Sequence, residues 1–79
     1  MAILVEILWE DANILHGWNH EAEGRTAMSL SVGYLLKETE KEVQICAGLG
    51  LEQTLCILAI PKSSIHKIVK RKSRIKGWG

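Results

Sequence analysis

Five segments of the chain carry apolar residues in the pattern of short strands. The first, AILVEILWEDA, has an apolar residue at every second position, a period that is typical of a strand. Ile3, Val5, Ile7 and Trp9 would lie together on one side of this strand. Strand patterns recur in MSLSVGYLLKE, EVQICAGL, TLCILAI and IHKIVKRK. The pattern therefore predicts an all-β domain of five short strands.

The alternation lapses between the first two strands, over residues 13–27. This stretch, NILHGWNHEAEGRTA, predicts a long loop, with one helical turn in NHEAEG that is capped by Asn19 and stopped by Gly24. Trp18 lies in the loop, and two roles stay open for it: packing as a lid over the domain, or stacking on a ligand. Gly33 lies inside the second strand, where glycine often marks a sharp bend or a close backbone approach.

The lone proline indicates how the last two strands are connected. Pro61 cannot donate a ladder hydrogen bond and has a fixed φ, so it suits a strand end followed by a single 3₁₀ turn, here PKSS. Five short strands with this link before the fifth predict a small, strongly bent five-stranded barrel of the Sm-like kind. The expected domain covers residues 1–72, and residues 73–79 form a basic carboxyl-terminal tail.

The two cysteines fall in the third and fourth strands. A hairpin centred between residues 50 and 52 would place Cys46 opposite Cys56 and Ile45 opposite Ile57. Opposed thiols could form a bond, but in a reducing cytoplasm reduced, buried cysteines are favoured over a disulfide or a redox switch. Without a CxxC pair or a nearby histidine, no metal site is expected.

Size and composition narrow the function. At 79 residues and 47% apolar content, the chain is one small domain with a modest core, so self-association is an expected source of stability. No triad or phosphate-loop motif appears, and the sequence predicts a protein that is not an enzyme and uses no cofactor. No signal-like or membrane-spanning apolar run is present, which favours a soluble, cytoplasmic protein without membrane contact.

Charge is polarised along the chain. Residues 1–61 hold all nine acids and three bases, whereas residues 62–79 hold seven bases and no acid. The candidate phosphate-binding residues are Lys67, Lys70, Arg71, Lys72, Arg74 and Lys76, and Trp78 could stack on a base. This pattern supports one function, the binding of RNA or single-stranded DNA, while the acidic body speaks against it.

A second apolar face supports a different function. Apart from Glu6 and Glu10, the first strand is apolar on both sides, and so is the fourth. A single barrel buries only one face of a strand, so the other face needs a cover. Either the loop that carries Trp18 or the edge strand of a second subunit would supply it, and the sequence favours a homo-oligomer.

Four motifs taken in order resemble a protein family. They are VEILWEDA, the GW pair at Gly17 and Trp18, SVGYLLKE, and IPKSSIHKI. Together they are similar to short uncharacterised proteins of phages, prophages and mobile elements, across about 70 of the 79 residues. The resemblance implies an Sm-like small barrel and a role in accessory genomes, with no established reaction. KRKSRIKGWG departs from the family pattern, which ends sooner, so its basic character is particular to this chain.

These observations lead to one expected function and one alternative. The expectation is an accessory protein of a phage or mobile element that acts as an oligomeric interaction or assembly module with an unknown protein partner. The alternative is an Sm-like nucleic-acid-binding protein that uses the basic carboxyl-terminal strand and tail.

Overall fold

The computed structural model describes residues 2–12 and 26–77, which form one antiparallel sheet. Its strands are β1 (Ile3–Ala12), β2 (Thr26–Glu38), β3 (Glu42–Leu49), β4 (Thr54–Pro61) and β5 (Ile65–Lys72), with a 3₁₀ turn over Lys62–Ser64 before β5. The strand order is β4-β3-β2-β1-β5. The predictions of an all-β fold, five strands and a 3₁₀ link are confirmed. The strand β2 begins at Thr26, two residues before the predicted start, and the predicted loop with its helical turn falls largely outside the described residues.

The sheet is open, so the predicted closure of the barrel is not observed. Among residues 2–12 and 26–77, β4 pairs with β3 alone and β5 pairs with β1 alone. The outer edges of these two strands therefore present unpaired backbone N–H and C=O groups.

The core lies on the concave side of the bent sheet. Five aliphatic side chains are at most 2% exposed there, and they come from β1, β3 and β4. They are Val5, Ile7, Val43, Ile45 and Ile60. Trp9, Ile65 and Ile68 pack against them, and Trp9 lies on the side of β1 that the alternation predicts. Each fully buried aliphatic side chain contributes about 1.5–3 kcal/mol, so burial of this cluster is a main stabilising contribution to the fold.

In the first half of β2, small and polar side chains lie on the core side of the sheet. Ser29, Ser31 and Gly33 pair with β1 residues of the core-facing row, so they lie on the concave side. The indole Nε1 of Trp9 donates to Ser31 Oγ at 3.0 Å, which satisfies the polar end of the half-buried ring. The apolar row that includes Leu30 and Val32 consequently faces outward, where it is exposed.

The bend in β2 is centred on Gly33. Up to Tyr34, β2 pairs with β1, and from Tyr34 onward it pairs with β3, with a bulge after Leu35. A Cβ atom added to Gly33 would lie 2.6 Å from the carbonyl oxygen of Cys46, closer than real Cβ contacts. Glycine therefore permits the backbone approach that folds one half of the sheet over the other.

The turn between β2 and β3 is closed by Thr39 and holds the 3₁₀ turn. Thr39 Oγ1 accepts from the backbone N–H groups of Lys41 and Glu42, at 3.1 Å each. The backbone N–H of Lys62 donates to the carbonyl oxygen of Lys41 at 2.8 Å. Pro61 ends β4 with φ at −63°, as predicted, and the chain reverses directly into β5.

We predict that Gly33→Ala destabilises the protein by about 1–3 kcal/mol, because the new methyl group collides with a backbone carbonyl that cannot move without opening the bend. Urea unfolding followed by tryptophan fluorescence measures the loss. Gly48→Ala is the matched control, since a Cβ there meets only Leu55 side-chain atoms at 3.6 Å or more. Equal midpoints for both variants would contradict the role given to Gly33.

Candidate interaction surfaces

The edge strand β4 is an uncharged and largely exposed part of the described sheet. Its sequence, TLCILAIP, contains no charged residue, and only Ile60 is buried. Leu55 and Ile57 are 62% and 58% exposed, and Leu58 on the other face is 38% exposed. Natural edge strands usually carry charges, prolines or covers that prevent pairing with other chains. In β4 only the terminal Pro61 has this character, which leaves the strand open to a partner.

The cysteine register differs from the prediction. Cys46 pairs with Ile57, and Ile45 pairs with Leu58, one residue away from the expected partners. The reason is the turn: Gly50 N–H donates to the Gln53 carbonyl at 2.8 Å, so the hairpin centre lies one half-residue further along. Both thiols are free; Cys46 is buried as expected, whereas Cys56 is exposed, and the prediction of neighbouring thiols is wrong. Cys56 has a φ of 54°, and the β3–β4 ladder skips it.

The bases of β5 alternate between the two faces of the sheet. Lys70 pairs with Val5 and Lys72 with Ile3, so both belong to the concave side. Lys67 and Arg71 pair with Leu8 and Leu4 and belong to the convex side.

The remaining predicted contacts lie at or beyond the end of the sheet. Arg74 and Lys76 are exposed after the end of β5. The predicted contacts Trp18 and Trp78 lie outside the described residues.

Glu38, at the end of β2, forms ion pairs with two lysines of the carboxyl-terminal region. Its carboxylate lies 2.8 Å from Lys62 Nζ and 2.6 Å from Lys70 Nζ, which connects the end of β2 to the 3₁₀ turn and to β5. Hydrogen bonds from Lys62 and then from Lys70 lower the pKa of Glu38 from 4.5 to about 2. Two bases of the carboxyl-terminal region are thus already neutralised by the protein itself.

The remaining polar contact and the cavity lie apart from the surfaces described above. His66 Nε2 lies 2.8 Å from Glu10 Oε1 on the surface, and within residues 2–12 and 26–77 no group of three or more His, Cys, Asp or Glu side chains could hold a metal ion. A cavity of about 340 Å³ lies where Ala2 and Ser73 meet the end of β3. Its lining is Ala2, Tyr34, Ala47, Gly48, Leu49, Ser73 and Ile75, which includes no carboxylate, imidazole or thiol.

Comparison with known proteins adds no relative. No protein-family model matches the chain, and neither a curated protein nor a solved structure does. In the part of the chain that the structure describes, no helix has the length and apolar content needed to cross a membrane.

We predict that Glu38→Gln lowers the free energy of unfolding near neutral pH by at most about 1 kcal/mol, the usual range for partly exposed ion pairs. Because the folded pKa lies below the unfolded value, this stabilisation is present above pH 4.5 and is lost as the pH falls toward 2. Thermal unfolding between these pH values should show a shallower pH dependence for Glu38→Gln than for the wild type. Glu52→Gln, in the exposed β3–β4 turn, should keep the wild-type slope; equal slopes in all three proteins would contradict the assignment.

Proposed function

We propose that this chain is a self-associating interaction module of Sm-like architecture, which acts in the cytoplasm as an accessory protein of a phage or mobile element. The observation that carries the proposal is β4, an edge strand without a charged residue, apolar on both faces and exposed along most of its length. No arrangement of groups in the described residues supports a reaction in its place. Binding through strand edges is therefore the favoured function.

The two outer edges of the sheet are unlike each other, which favours head-to-tail assembly. The strand β4 is apolar and uncharged, whereas β5, IHKIVKRK, carries four lysine or arginine residues. Pairing β5 with another β5 would set bases against bases, which is unfavourable. Pairing β4 of one copy with β5 of the next satisfies both edges, and such a contact forms a ring when its rotation closes.

Two features support the Sm-like part of the proposal. A strongly bent antiparallel sheet leads through a 3₁₀ turn into its last strand, and that strand returns to the side of β1. An open sheet is also what a subunit needs if closure occurs between copies and not within one. The phage or mobile-element part depends on the resemblance of the sequence motifs.

Nucleic-acid binding through the carboxyl-terminal bases is the weaker candidate. A phosphate backbone is bound best by bases that share one groove or stripe. Here Lys67 and Arg71 lie on the convex side, Lys72 lies on the concave side, and Lys70 is paired with Glu38. Because the bases are divided between two faces, their role is better explained as keeping an exposed strand edge soluble than as binding nucleic acid.

We predict that the wild-type chain sediments as an oligomer at tens of micromolar, roughly the range in which modest interfaces are populated. Ile57→Lys should reduce the mass, since it introduces a charge in the middle of β4. Leu51→Lys is the matched control, because Leu51 is 91% exposed in the hairpin turn, and it should keep the wild-type mass. A wild-type mass that Ile57→Lys leaves unchanged would contradict assembly through β4.

A titration with labelled single-stranded RNA at low and moderate salt separates the two functions. The proposal expects no binding at moderate salt, by the wild type or by a chain that ends at residue 72. Salt-sensitive binding by the wild type that is lost on removal of residues 73–79 would favour the nucleic-acid function instead.

A further inference from the structure

The amino-terminal half of β2 has an open edge of its own. Residues 26–34 pair with β1 along one side, and pairing with β3 begins only at Tyr34. Within the described ranges, no strand pairs with the other side of residues 26–33. The bend at Gly33 is the cause, because it turns β3 away from this part of β2.

This edge lacks the charges that protect the neighbouring strands. Between Thr26 and Leu36 there is no charged residue, whereas β1 has acids and β5 has bases on the same convex face. Met28, Leu30 and Val32 form the convex row and are 52%, 67% and 63% exposed. Exposed apolar rows beside an unpaired edge are typical of a surface that another strand covers.

The sequence around Leu30 is nearly its own mirror image. Read outward in both directions, MSLSV gives Leu30, then Ser29 and Ser31, then Met28 and Val32. In an antiparallel pair of identical strands with Leu30 opposite Leu30, apolar side chains oppose apolar ones on the convex face and hydroxyl groups oppose hydroxyl groups on the concave face. A segment that matches itself in this way fits a two-fold axis.

We propose that β2 pairs with β2 of a second copy about a two-fold axis at Leu30. The contact joins β5-β1-β2 of one chain to β2-β1-β5 of the other in one continuous sheet. It uses a different edge from the head-to-tail contact of β4 with β5 and does not depend on it. The two contacts together would link oligomers in pairs.

Neighbouring registers fit less well. An axis at Ser31 would place Met28 opposite Tyr34, whose edge already pairs with Cys46, so the apolar row would lose a pair. With the axis at Leu30, only the first residue of β2 falls opposite Tyr34. An axis at Ser29 would place Val32 opposite Thr26 and lose an apolar pair. The other edges are also poorer self-partners, because β5 is basic and the ladder of β4 is interrupted at Cys56.

Substitution of Leu30 by residues of opposite charge tests the proposal, because Leu30 of one copy would lie opposite Leu30 of the other. The variants are made in a full chain that carries Ile57→Lys, so that β4 contacts are suppressed. This background should sediment as a dimer. Adding Leu30→Lys or Leu30→Glu should raise the dimer dissociation constant by about a hundredfold or more through like-charge repulsion, and mixing the two variants should restore the dimer.

Three results would overturn the proposal: a monomeric background at about 100 µM, well above the range of functional interfaces, an unchanged mass in the separate Leu30 variants, or no recovery on mixing. Leu30 is mostly exposed, so far-ultraviolet circular dichroism and thermal unfolding should match the background and exclude misfolding. An oligomer that resists Ile57→Lys but responds to the Leu30 variants would reject assembly through β4 and keep this contact. The converse result would reject this contact alone.

A thiol cross-link tests the register. In a chain with Cys56→Ser, Leu30→Cys should form a disulfide-linked dimer with oxidised glutathione, since directly opposed strand residues lie within disulfide reach. Met28→Cys is the control and should stay unlinked, because it faces position 32 of the partner. Equal cross-linking of both variants would contradict a two-fold axis at Leu30.

Discussion

The contact between Gly33 and the carbonyl of Cys46 is the constraint on which the rest of the structure depends. At this point two backbones come so close that no side chain fits between them. The approach bends β2 and brings the aliphatic row of β1 against those of β3 and β4, so the core forms between the two halves of one sheet. A flat sheet of the same strands would leave this row in water and lose most of its burial energy.

The same bend leaves the edges open. A strand that turns away from its neighbour at Gly33 can no longer pair along its whole length. Within residues 2–12 and 26–77, no further strand covers the outer edges of β4 and β5. Of the exposed edges, β5 is protected by bases, and Glu38 ties it to the end of β2 through Lys70. The strand β4 and the first half of β2 lack such protection. The proposed assembly therefore follows from how the core is built.

The strand boundaries could be predicted closely because polar and turn-forming residues separate them. β3 and β5 lie where the pattern predicts. The first follows the KETEKE turn, and the second follows Pro61 and the 3₁₀ turn. The predicted register of the β3–β4 hairpin differs from the observed one by one residue. The sequence GLGLEQ is compatible with turns centred at different positions, and alternation does not choose between them. Alternation also cannot tell which row of β2 is buried. The serines lie on the core side here, where Ser31 accepts a hydrogen bond from Trp9, and Gly33 of the same row lies against the carbonyl of Cys46.

The candidate surfaces could be predicted only in part from the sequence, for a similar reason. The basic segment is visible in the composition, but its alternation along β5 sends neighbouring bases to opposite faces, and the partner of Lys70 comes from a distant strand.

Hydrogen exchange of the backbone amides tests most directly whether other copies complete this sheet. In the first half of β2 and in β4, every second N–H points away from the neighbouring strand of the same chain. At about 5 and about 200 µM, the account predicts that these outward-pointing amides of residues 26–32 and of β4 become protected at the higher concentration, while the amides of Val43 and Ile45 are protected at both. Outward-pointing amides of residues 26–32 and of β4 that exchange equally fast at both concentrations would contradict it.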